Sequence, residues 1–379
     1  LDIFIPENET AIDFLFNEEL GAVIEVDDSK SNEVIEEFLR NDIQAVVIGK
    51  SKQELEVNFL QNGLRDNSFS LLELYSEWTH LSYRMQALRD NLQCAKEERA
   101  SSLDPSNRGL QSSVPIFKHS PKIYKGSKPK VALIREQGVN SHHEMAAALM
   151  DAKFQPIDIH MNDLLSEKKN LDQFSGLVMC GGFSYGDVLG AGGGWAGTIL
   201  NNEHLKNIFK EFFYDQSRFS LGVCNGCQAL SKLNAIIPGA TDWPSFEINQ
   251  SEQFEARVAM VRVKDSPSIL FNGMSEMVLP IVVSHGEGRA NVNGLVKPSN
   301  ITMCYVDNDL NATQQYPFNP NGSSWGIAGL SNQDGRINIM MPHPERSYLS
   351  SQLSWHPKEW GRGSPWSLVF SNAREWLSS

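Results

Sequence analysis

Residues 219–228, Phe-Ser-Leu-Gly-Val-Cys-Asn-Gly-Cys-Gln, run from an apolar strand directly into a cysteine that lies between two glycines. The small residues Gly222 and Gly226 permit a sharp turn from strand to helix, which lifts the Sγ atom of Cys224 above the sheet. The N terminus of the following helix points free N–H groups and its positive dipole end at this sulfur, which favours the thiolate. The pattern predicts that Cys224 is a nucleophile and that Cys227 packs against the strand.

The same segment fits a second interpretation, in which Cys224 is a buried, inert residue of an ordinary βα turn. A motif of this length does not separate the two cases by itself. The choice depends on whether the rest of the chain supplies a base and an oxyanion site.

Around this segment, short apolar strands alternate with helices, which is typical of an α/β fold with a mainly parallel sheet. Ligands of such folds bind beyond the carboxyl ends of the strands. Residues 255–340 are more typical of antiparallel strands. The predicted strands are residues 130–134, 156–160, 176–180, 219–223, 256–263, 278–283, 301–306 and 337–341, and the predicted helices are residues 142–150 and 203–213.

Changes in composition predict the domain organisation. Residues 1–95 mix strand and helix patterns, which predicts a small α+β segment, and residues 96–127 are rich in the Ser, Pro, Asn, Gly and Lys of an exposed linker. Residues 128–379 form the α/β domain. Because the first residue is Leu1 rather than Met, we expect a processed product or a part of something longer. In residues 1–95 the predicted strands are 21–26 and 43–48, and the predicted helices are 31–39 and 71–89.

The composition also narrows the class of protein. A formal net charge of −13 without a basic stripe disfavours a nucleic-acid partner, and no stretch approaches the roughly 18 apolar residues of a membrane span. The five cysteines are scattered and follow no secretory signal, which predicts reduced thiols in the cytoplasm. Cys224 and Cys227 lack the two further clustered ligands of a zinc site, so we expect no metal.

A thiolate nucleophile needs a base, and residues 341–346, Met-Pro-His-Pro-Glu-Arg, follow an apolar strand. Pro342 and Pro344 are expected to hold this segment extended, so that the side chains of His343 and Glu345 face the same way. The carboxylate can then orient the imidazole, which gives a triad with Cys224. Taken alone, the segment fits a satisfied loop histidine and a surface charge better than a triad, and the elbow at Cys224 reverses that preference.

A rival base is His285, in the segment Ser284-His-Gly-Glu-Gly-Arg289, where Glu287 has the same spacing. It ranks second because its carboxylate follows a flexible glycine.

An oxyanion site requires N–H donors, which glycines can supply where a strand ends next to the elbow. Residues 180–187, Cys-Gly-Gly-Phe-Ser-Tyr-Gly-Asp, follow such a strand, and the amides of Gly182 and Asn225 are the predicted donors. The glycines of residues 188–195 are too irregular for a dinucleotide-binding loop, so the evidence for a dinucleotide-dependent enzyme is weak.

Together these segments resemble the class I, or triad, glutamine amidotransferase domain, which has a flavodoxin-like fold and hydrolyses glutamine to glutamate and ammonia. Further segments are similar to the formylglycinamide ribonucleotide amidotransferase family, also called phosphoribosylformylglycinamidine synthase, of purine biosynthesis. The resemblance covers residues 128–379 and, less distinctly, residues 1–127, of which 1–95 resemble the end of the synthetase portion and a helical connector. The further segments are residues 135–140, 182–187, 251–257, 285–289 and 319–323.

The resemblance implies that the complete enzyme uses ATP, Mg²⁺ and glutamine to turn the formylamide oxygen of formylglycinamide ribonucleotide into an amidine nitrogen. The chain has no room for the ATP-binding synthetase domains, so we expect glutaminase chemistry without a cofactor here and synthetase domains as the partner. The resemblance also implies roles for single residues: Cys224 as nucleophile, His343 as base and Glu345 as its orienter, with Gln228, Phe254 and Glu255 holding glutamine. It implies that His285, Glu287 and Arg289 couple this domain to the synthetase, and these three fit equally a loop that its own hydrogen bonds stabilise.

Two other functions remain open. The same elbow serves stand-alone cysteine hydrolases, and the amidotransferase scaffold also allows an inactive binding module.

Overall fold

The computed structural model describes residues 1–115, 124, 126–292 and 296–378. The chain divides into two compact units, Leu1–Met85 with Leu103–Pro105 and Gln86–Ser102 with Ser106–Ser379. Much of the second half of the predicted linker, residues 116–123 and 125, lies outside the described residues. The division of the chain into domains at residues 95 and 127 stays a prediction.

The smaller unit contains a four-stranded sheet of β1 (Asp2–Ile5), β2 (Gly49–Lys50), β3 (Glu56–Gln61) and β4 (Leu64–Ser70), in the order β2-β1-β3-β4. Strand β1 is parallel to β3 and antiparallel to β2. Asn62 and Gly63 join β3 to β4 with φ of 54° and 75°, the conformations that a two-residue hairpin turn requires. The helices are α1 (Ala11–Leu15), α2 (Ser31–Arg40) and α3 (Leu71–Arg89), and the last two confirm the predicted helices.

The predicted strands at residues 21–26 and 43–48 are wrong, because both segments are irregular and the two-residue strand β2 begins only after the second. Their apolar residues match the strand pattern, but a strand forms only where a neighbour pairs its backbone groups. Val23 and Val46 are instead exposed at 80% and 68%.

Residues 96–102, which were predicted to be exposed linker, instead belong to helix α4 (Leu92–Ser102). Residues 95–102, Ala-Lys-Glu-Glu-Arg-Ala-Ser-Ser, contain strong helix formers, and their high polarity disguised the helix as a linker. Burial of Cys94 and Ala95 anchors the helix.

The larger unit is built on a nine-stranded sheet in the order β11-β10-β13-β14-β15-β8-β7-β5-β6. The pairs β6-β5, β5-β7, β7-β8 and β8-β15 are parallel, and the remaining pairs are antiparallel. The parallel half has the doubly wound, flavodoxin-like strand order. The strands are β5 (Lys130–Arg135), β6 (Gln155–His160), β7 (Gly176–Met179), β8 (Phe219–Val223), β9 (Ser245–Glu247), β10 (Glu255–Val263), β11 (Val278–His285), β12 (Arg289–Asn291), β13 (Ile301–Tyr305), β14 (Ile327–Ser331) and β15 (Ile337–Met340).

The predicted α/β fold class with its parallel sheet is confirmed. One strand differs, since β15 was expected to be antiparallel but joins the two halves, antiparallel to β14 and parallel to β8. Strands β9, β12 and β14 were not predicted, and β9 and β12 form a separate two-stranded sheet. The helices of this unit are α4, α5 (His142–Asp151), α6 (Met161–Leu165), α7 (Gly193–Leu200), α8 (Glu203–Tyr214), α9 (Asn225–Lys232) and α10 (Ser367–Trp376).

Helix α8 illustrates how the core is built. Its apolar residues recur at helical spacing, and Leu205, Phe209, Phe212 and Phe213 are buried while its charged residues face outward. Full burial of each side chain contributes about 2 kcal/mol. The carboxyl ends of β5, β7, β8 and β15 meet at one edge of this packed sheet, where the site residues gather.

Candidate active site

Cys224 lies at the tight turn between β8 and α9. Its φ of 52° and ψ of −110° are unusual for a residue with a Cβ atom, and such strain is typical of functional positions. The turn is held because the N–H of Cys224 donates to the carbonyl of Met340 at 2.9 Å and its carbonyl accepts from the N–H of Gln228 at 3.0 Å. The side chain is 5% exposed, and Sγ lies 3.5 Å from the backbone oxygen of Ser284.

Gly226 explains why the elbow needs a glycine two residues after the cysteine. A Cβ atom added there would lie 1.9 Å from the carbonyl oxygen of Met179, at the end of the neighbouring strand β7. The close approach of α9 to β7 therefore depends on this position.

His343 and Glu345 form a buried pair. The Nδ1 atom of His343 lies 2.6 Å from Oε1 of Glu345, and the two side chains are 1% and 0% exposed. Residues 341–346 were predicted to be extended, and this prediction is wrong in part. The backbone of His343 is extended, but Pro344–Arg346 forms a 3₁₀ turn. The turn brings the carboxylate back to the imidazole, which side chains two residues apart in a strand would not reach as closely.

The structure brings Cys224 and His343 together across the backbone of Gly181. A Cβ atom added to Gly181 would lie 2.8 Å from Cε1 of His343 and 3.2 Å from Cβ of Cys224. Within the described residues, Nε2 of His343 is buried without a hydrogen-bond partner. Burial lowers the pKa of His343, but the charges of Glu345 and Cys224 outweigh it and raise the pKa to about 10.

The two predicted oxyanion donors lie on adjacent elements. Gly182 follows β7 with a φ of 150°, and an added Cβ atom would lie 2.5 Å from the carbonyl oxygen of Gly138. Asn225 is the first residue of α9, where backbone N–H groups have no partner within the helix. The side chain of Asn225 accepts from the N–H of Ser184 at 3.0 Å and donates to Asp187 at 3.0 Å. It thereby ties the 3₁₀ turn Ser184–Asp187 to the elbow.

A cavity of about 240 Å³ opens beside Cys224. Gln228 lines it, but its side chain already donates to the carbonyl of Glu287 at 2.6 Å and accepts from Asn225 at 3.1 Å. Phe254 is 48% exposed with its ring 6.0 Å from that of Phe183, a residue of the cavity wall. The cavity is lined by Gly182, Phe183, Gly186, Asp187, Ala191, Cys224, Gln228, Ser284, His285, Gly286 and Glu287.

Glu255 and Arg289 are among the predicted site residues that do not line this cavity. Glu255, expected to hold glutamine, is 3% exposed and accepts from Nε of Arg257 at 2.8 Å and from the hydroxyl of Tyr316 at 3.2 Å. Arg289, expected to couple to the synthetase, forms an ion pair with Glu247 at 3.2 Å. In the structure both charges are committed to partners.

His285 and Glu287 both line the cavity but do not form the rival pair. Nε2 of His285 accepts from the side-chain amide of Asn321 at 3.0 Å. Burial, together with the charge of His343, lowers the pKa of His285 to about 3, so the ring is neutral. The carboxylate of Glu287 instead accepts from the backbone N–H of Ala191 at 3.0 Å. His343 is therefore the histidine that a carboxylate orients.

Sequence reasoning missed Phe183, Asp187 and Ala191 as parts of the cavity wall. The segment 182–187 carried a signal, because it was one of those that resemble a known family, yet only Gly182 was selected from it. Burial raises the pKa of Asp187, and hydrogen bonds from Asn225 and the Gly192 backbone oppose that shift. Tyr185, Gly186 and Asp187 also have positive φ, which a sequence does not display.

The fold and the site define an α/β protein with a cysteine at a strand-to-helix elbow close to a buried histidine–glutamate pair. Residues 128–377 match the family described as the CobB/CobQ-like glutamine amidotransferase domain, and the chain belongs to this family.

Among solved structures, PurLQS from Thermotoga maritima is similar at 23% identity with a TM-score of 0.51, over 66% of this chain and 99% of that one. This likeness shows the fold. A glutamine amidotransferase from Thermotoga maritima matches at 15% identity with a TM-score of 0.35, over 58% of this chain and 77% of that one.

In the parts of the chain that the structure describes, no helix is both long and apolar enough to cross a bilayer. The same residues include no group of three His, Cys, Asp or Glu side chains placed to hold a metal ion.

Proposed function

We propose that this chain hydrolyses glutamine through Cys224, His343 and Glu345 and supplies the ammonia to a purine-pathway synthetase. The observation that carries the proposal is the buried His343–Glu345 pair, 2.6 Å apart, beside the cysteine elbow of a glutamine amidotransferase family member. Burial of the Glu345 carboxylate costs desolvation free energy, which its pairing with His343 offsets. A loop histidine without a catalytic role does not require such a partner.

In the first half of the reaction, the thiolate of Cys224 attacks the carboxamide carbon of glutamine and the carbonyl electrons move to oxygen. The amides of Gly182 and Asn225 stabilise this oxyanion. The C–N bond then breaks as nitrogen takes a proton from Nε2 of His343, which releases ammonia and leaves a glutamyl thioester. A raised His343 pKa of about 10 supports this role, because the ring carries the proton at neutral pH.

In the second half, neutral His343 removes a proton from water, and the resulting hydroxide attacks the thioester carbon. Collapse of the intermediate breaks the C–S bond, releases glutamate and restores the Cys224 thiolate beside protonated His343. Glu345 keeps the imidazole oriented and stabilises its positive charge.

For the complete enzyme we propose conversion of formylglycinamide ribonucleotide to formylglycinamidine ribonucleotide with ATP and Mg²⁺, in the cytoplasm, with synthetase domains as the partner of this chain. Five segments of the sequence that resemble that family support the proposal. We propose that ATP and Mg²⁺ act in the synthetase domains.

The test is glutamate release from glutamine by wild type, Cys224→Ala and Cys227→Ala, with and without the synthetase region, ATP and formylglycinamide ribonucleotide. We expect release that only Cys224→Ala abolishes, since Cys227 is fully buried. Release that depends on no synthetase component would favour a stand-alone cysteine hydrolase. No release under any condition would leave an inactive binding module.

A further inference from the structure

The cavity beside Cys224 has a one-sided charge. Asp187 and Glu287 are the acidic residues of its wall, and the wall residues that the structure describes include no lysine or arginine. His285, the one histidine among them, is buried and is held neutral by a pKa of about 3. A ligand that fills this cavity therefore meets uncompensated negative charge.

The hydrogen-bond donors that the described part of the chain supplies to both carboxylates are neutral. Asp187 accepts from the side-chain amide of Asn225 at 3.0 Å, and Glu287 accepts from the backbone N–H of Ala191 at 3.0 Å. These bonds set the positions of the carboxylates without cancelling their charge. The two groups also repel each other, because Glu287 adds to the rise that burial causes in the pKa of Asp187.

Their attachment points place the pair around the nucleophile. Asp187 is bound to Asn225, the residue directly after Cys224, and the backbone of Glu287 is bound to Gln228 one turn further along α9. Both carboxylates are therefore tied to the helix that begins at the elbow. A substrate whose reactive carbon lies at Sγ therefore occupies the cavity whose wall carries both carboxylates.

We propose that Asp187 and Glu287 bind the α-ammonium group of the glutamine whose carboxamide reacts at Cys224. This inference rests on the proposed function and assigns Glu287 to substrate recognition in place of coupling to the synthetase. Two methylene groups separate the carboxamide carbon of glutamine from its α-carbon, so the ammonium group lies in the same cavity. Partial exclusion of water strengthens its attraction to both carboxylates.

The experiment compares L-glutamine with glutaramate, the same molecule without the α-amino group, in the enzyme with all synthetase components. Ammonia release gives kcat and KM for both substrates with wild type, Asp187→Asn and Glu287→Gln. Glu203→Gln is the matched control, because Glu203 is an exposed carboxylate on α8 outside the cavity.

We expect wild type to prefer glutamine, because a site built to bind a polar group of the substrate rejects an analogue that lacks this group. Each cavity variant should lower the ratio of kcat/KM for glutamine to kcat/KM for glutaramate about tenfold or more, mainly by raising the KM for glutamine. Glu203→Gln should keep the wild-type ratio. A loss of activity that is equal for both substrates would show that the carboxylates serve only the local structure, and would overturn the inference.

A binding measurement separates this inference from the proposed function. In the Cys224→Ala background, calorimetry gives the dissociation constants of glutamine and glutaramate without turnover. We expect Asp187→Asn to weaken glutamine about tenfold and to leave glutaramate unchanged. If Cys224→Ala binds glutamine more tightly than glutaramate but the wild type releases no ammonia, the hydrolysis proposal alone is overturned. If Cys224→Ala with Asp187 and Glu287 intact binds both compounds equally, the recognition proposal alone is overturned.

Discussion

The Nδ1 atom of His343 lies 2.6 Å from Oε1 of Glu345, and a single 3₁₀ turn between them makes this contact possible. The backbone of Glu345 is also fixed, because its carbonyl accepts a hydrogen bond from the side-chain amide of Gln352 at 3.0 Å. When the imidazole is neutral, this contact fixes its tautomer, with Nδ1 donating to the carboxylate and Nε2 left to accept a proton.

Replacement of Glu345 by glutamine should lower kcat for glutamate release by roughly 10²–10⁴-fold, because the imidazole loses the charge that orients and stabilises its protonated form. The pKa of His343, raised to about 10 in wild type, should fall, and the pH profile of kcat should shift to lower pH. Glu359→Gln, at an exposed 3₁₀ turn, is the control. Wild-type kcat in Glu345→Gln would contradict an orienting role.

Iodoacetamide should modify Cys224 before any other cysteine at pH 7 to 8, with loss of glutamate release, and glutamine should protect it. Cys224 lines the cavity, whereas burial raises the pKa of the Cys180 and Cys227 thiols well above the ordinary value. Burial likewise raises the pKa of Cys94 to about 11. Peptide mass spectrometry locates the label. Primary labelling of Cys94 or Cys227 in the folded protein would contradict the assigned nucleophile.

His285 should make the protein less stable as the pH falls below about 6.5. Its pKa in the folded state, about 3, lies below the unfolded value of 6.5, so the unfolded chain binds more protons between those values. The stabilising contribution of neutral His285 is complete above pH 6.5 and is lost toward pH 3, with a slope of up to about 1.4 kcal/mol per pH unit.

Urea unfolding at pH 5.0, 5.75 and 6.5 measures this slope. His285→Gln should flatten the pH dependence of the free energy of unfolding, and His204→Gln, at an exposed position of α8, should not. Parallel curves for wild type and His285→Gln would show that burial does not hold this ring neutral.

Gly226→Ala should destabilise the protein by about 2–4 kcal/mol and abolish glutamate release, because the added Cβ atom would overlap the carbonyl of Met179. Gly197→Ala in α7 is the matched control. The nearest atom to its added Cβ is the amide nitrogen of Asn201 at 3.8 Å, so helix propensity should stabilise the fold by about 0.5–1 kcal/mol. Thermal unfolding compares the two, and equal melting temperatures would contradict the close approach of α9 to β7.

The parallel half of the sheet was predictable because its signals are local. The apolar run of β8 and the spacing of apolar residues in α8 are complete within each segment, and both were predicted with nearly the observed bounds. Helix α7 was missed because four of the five residues before Trp195 are glycines, which disfavour a helix. Packing against α9 compensates for this low propensity. An added Cβ atom on Gly192 would lie 2.5 Å from the backbone nitrogen of Ala229, so this contact leaves no room for a side chain.

The predicted arrangement of the site residues agrees with the structure where neighbours in sequence determine geometry, and differs from it where they do not. The glycines around Cys224 and the spacing of His343 from Glu345 are readable in order along the chain. The partners of Glu255 are Arg257, two residues away, and Tyr316, which the sequence places far away. No local sequence pattern indicates that Glu255 binds these partners, because the burial of a carboxylate depends on the whole sheet.

The sequence by itself determined the elbow, the alternating strands and helices of the parallel half, and the candidate triad, because each depends on residues within one turn or one strand. The tertiary structure alone decided that the rival, His285, meets no carboxylate among the described residues, and that Asp187 and Glu287 share the cavity with Cys224. These outcomes require strand ends far apart in sequence to converge at one edge of a sheet. The effects of charge and burial at that edge depend on distances of a few ångströms in space, and separation along the chain does not indicate these distances.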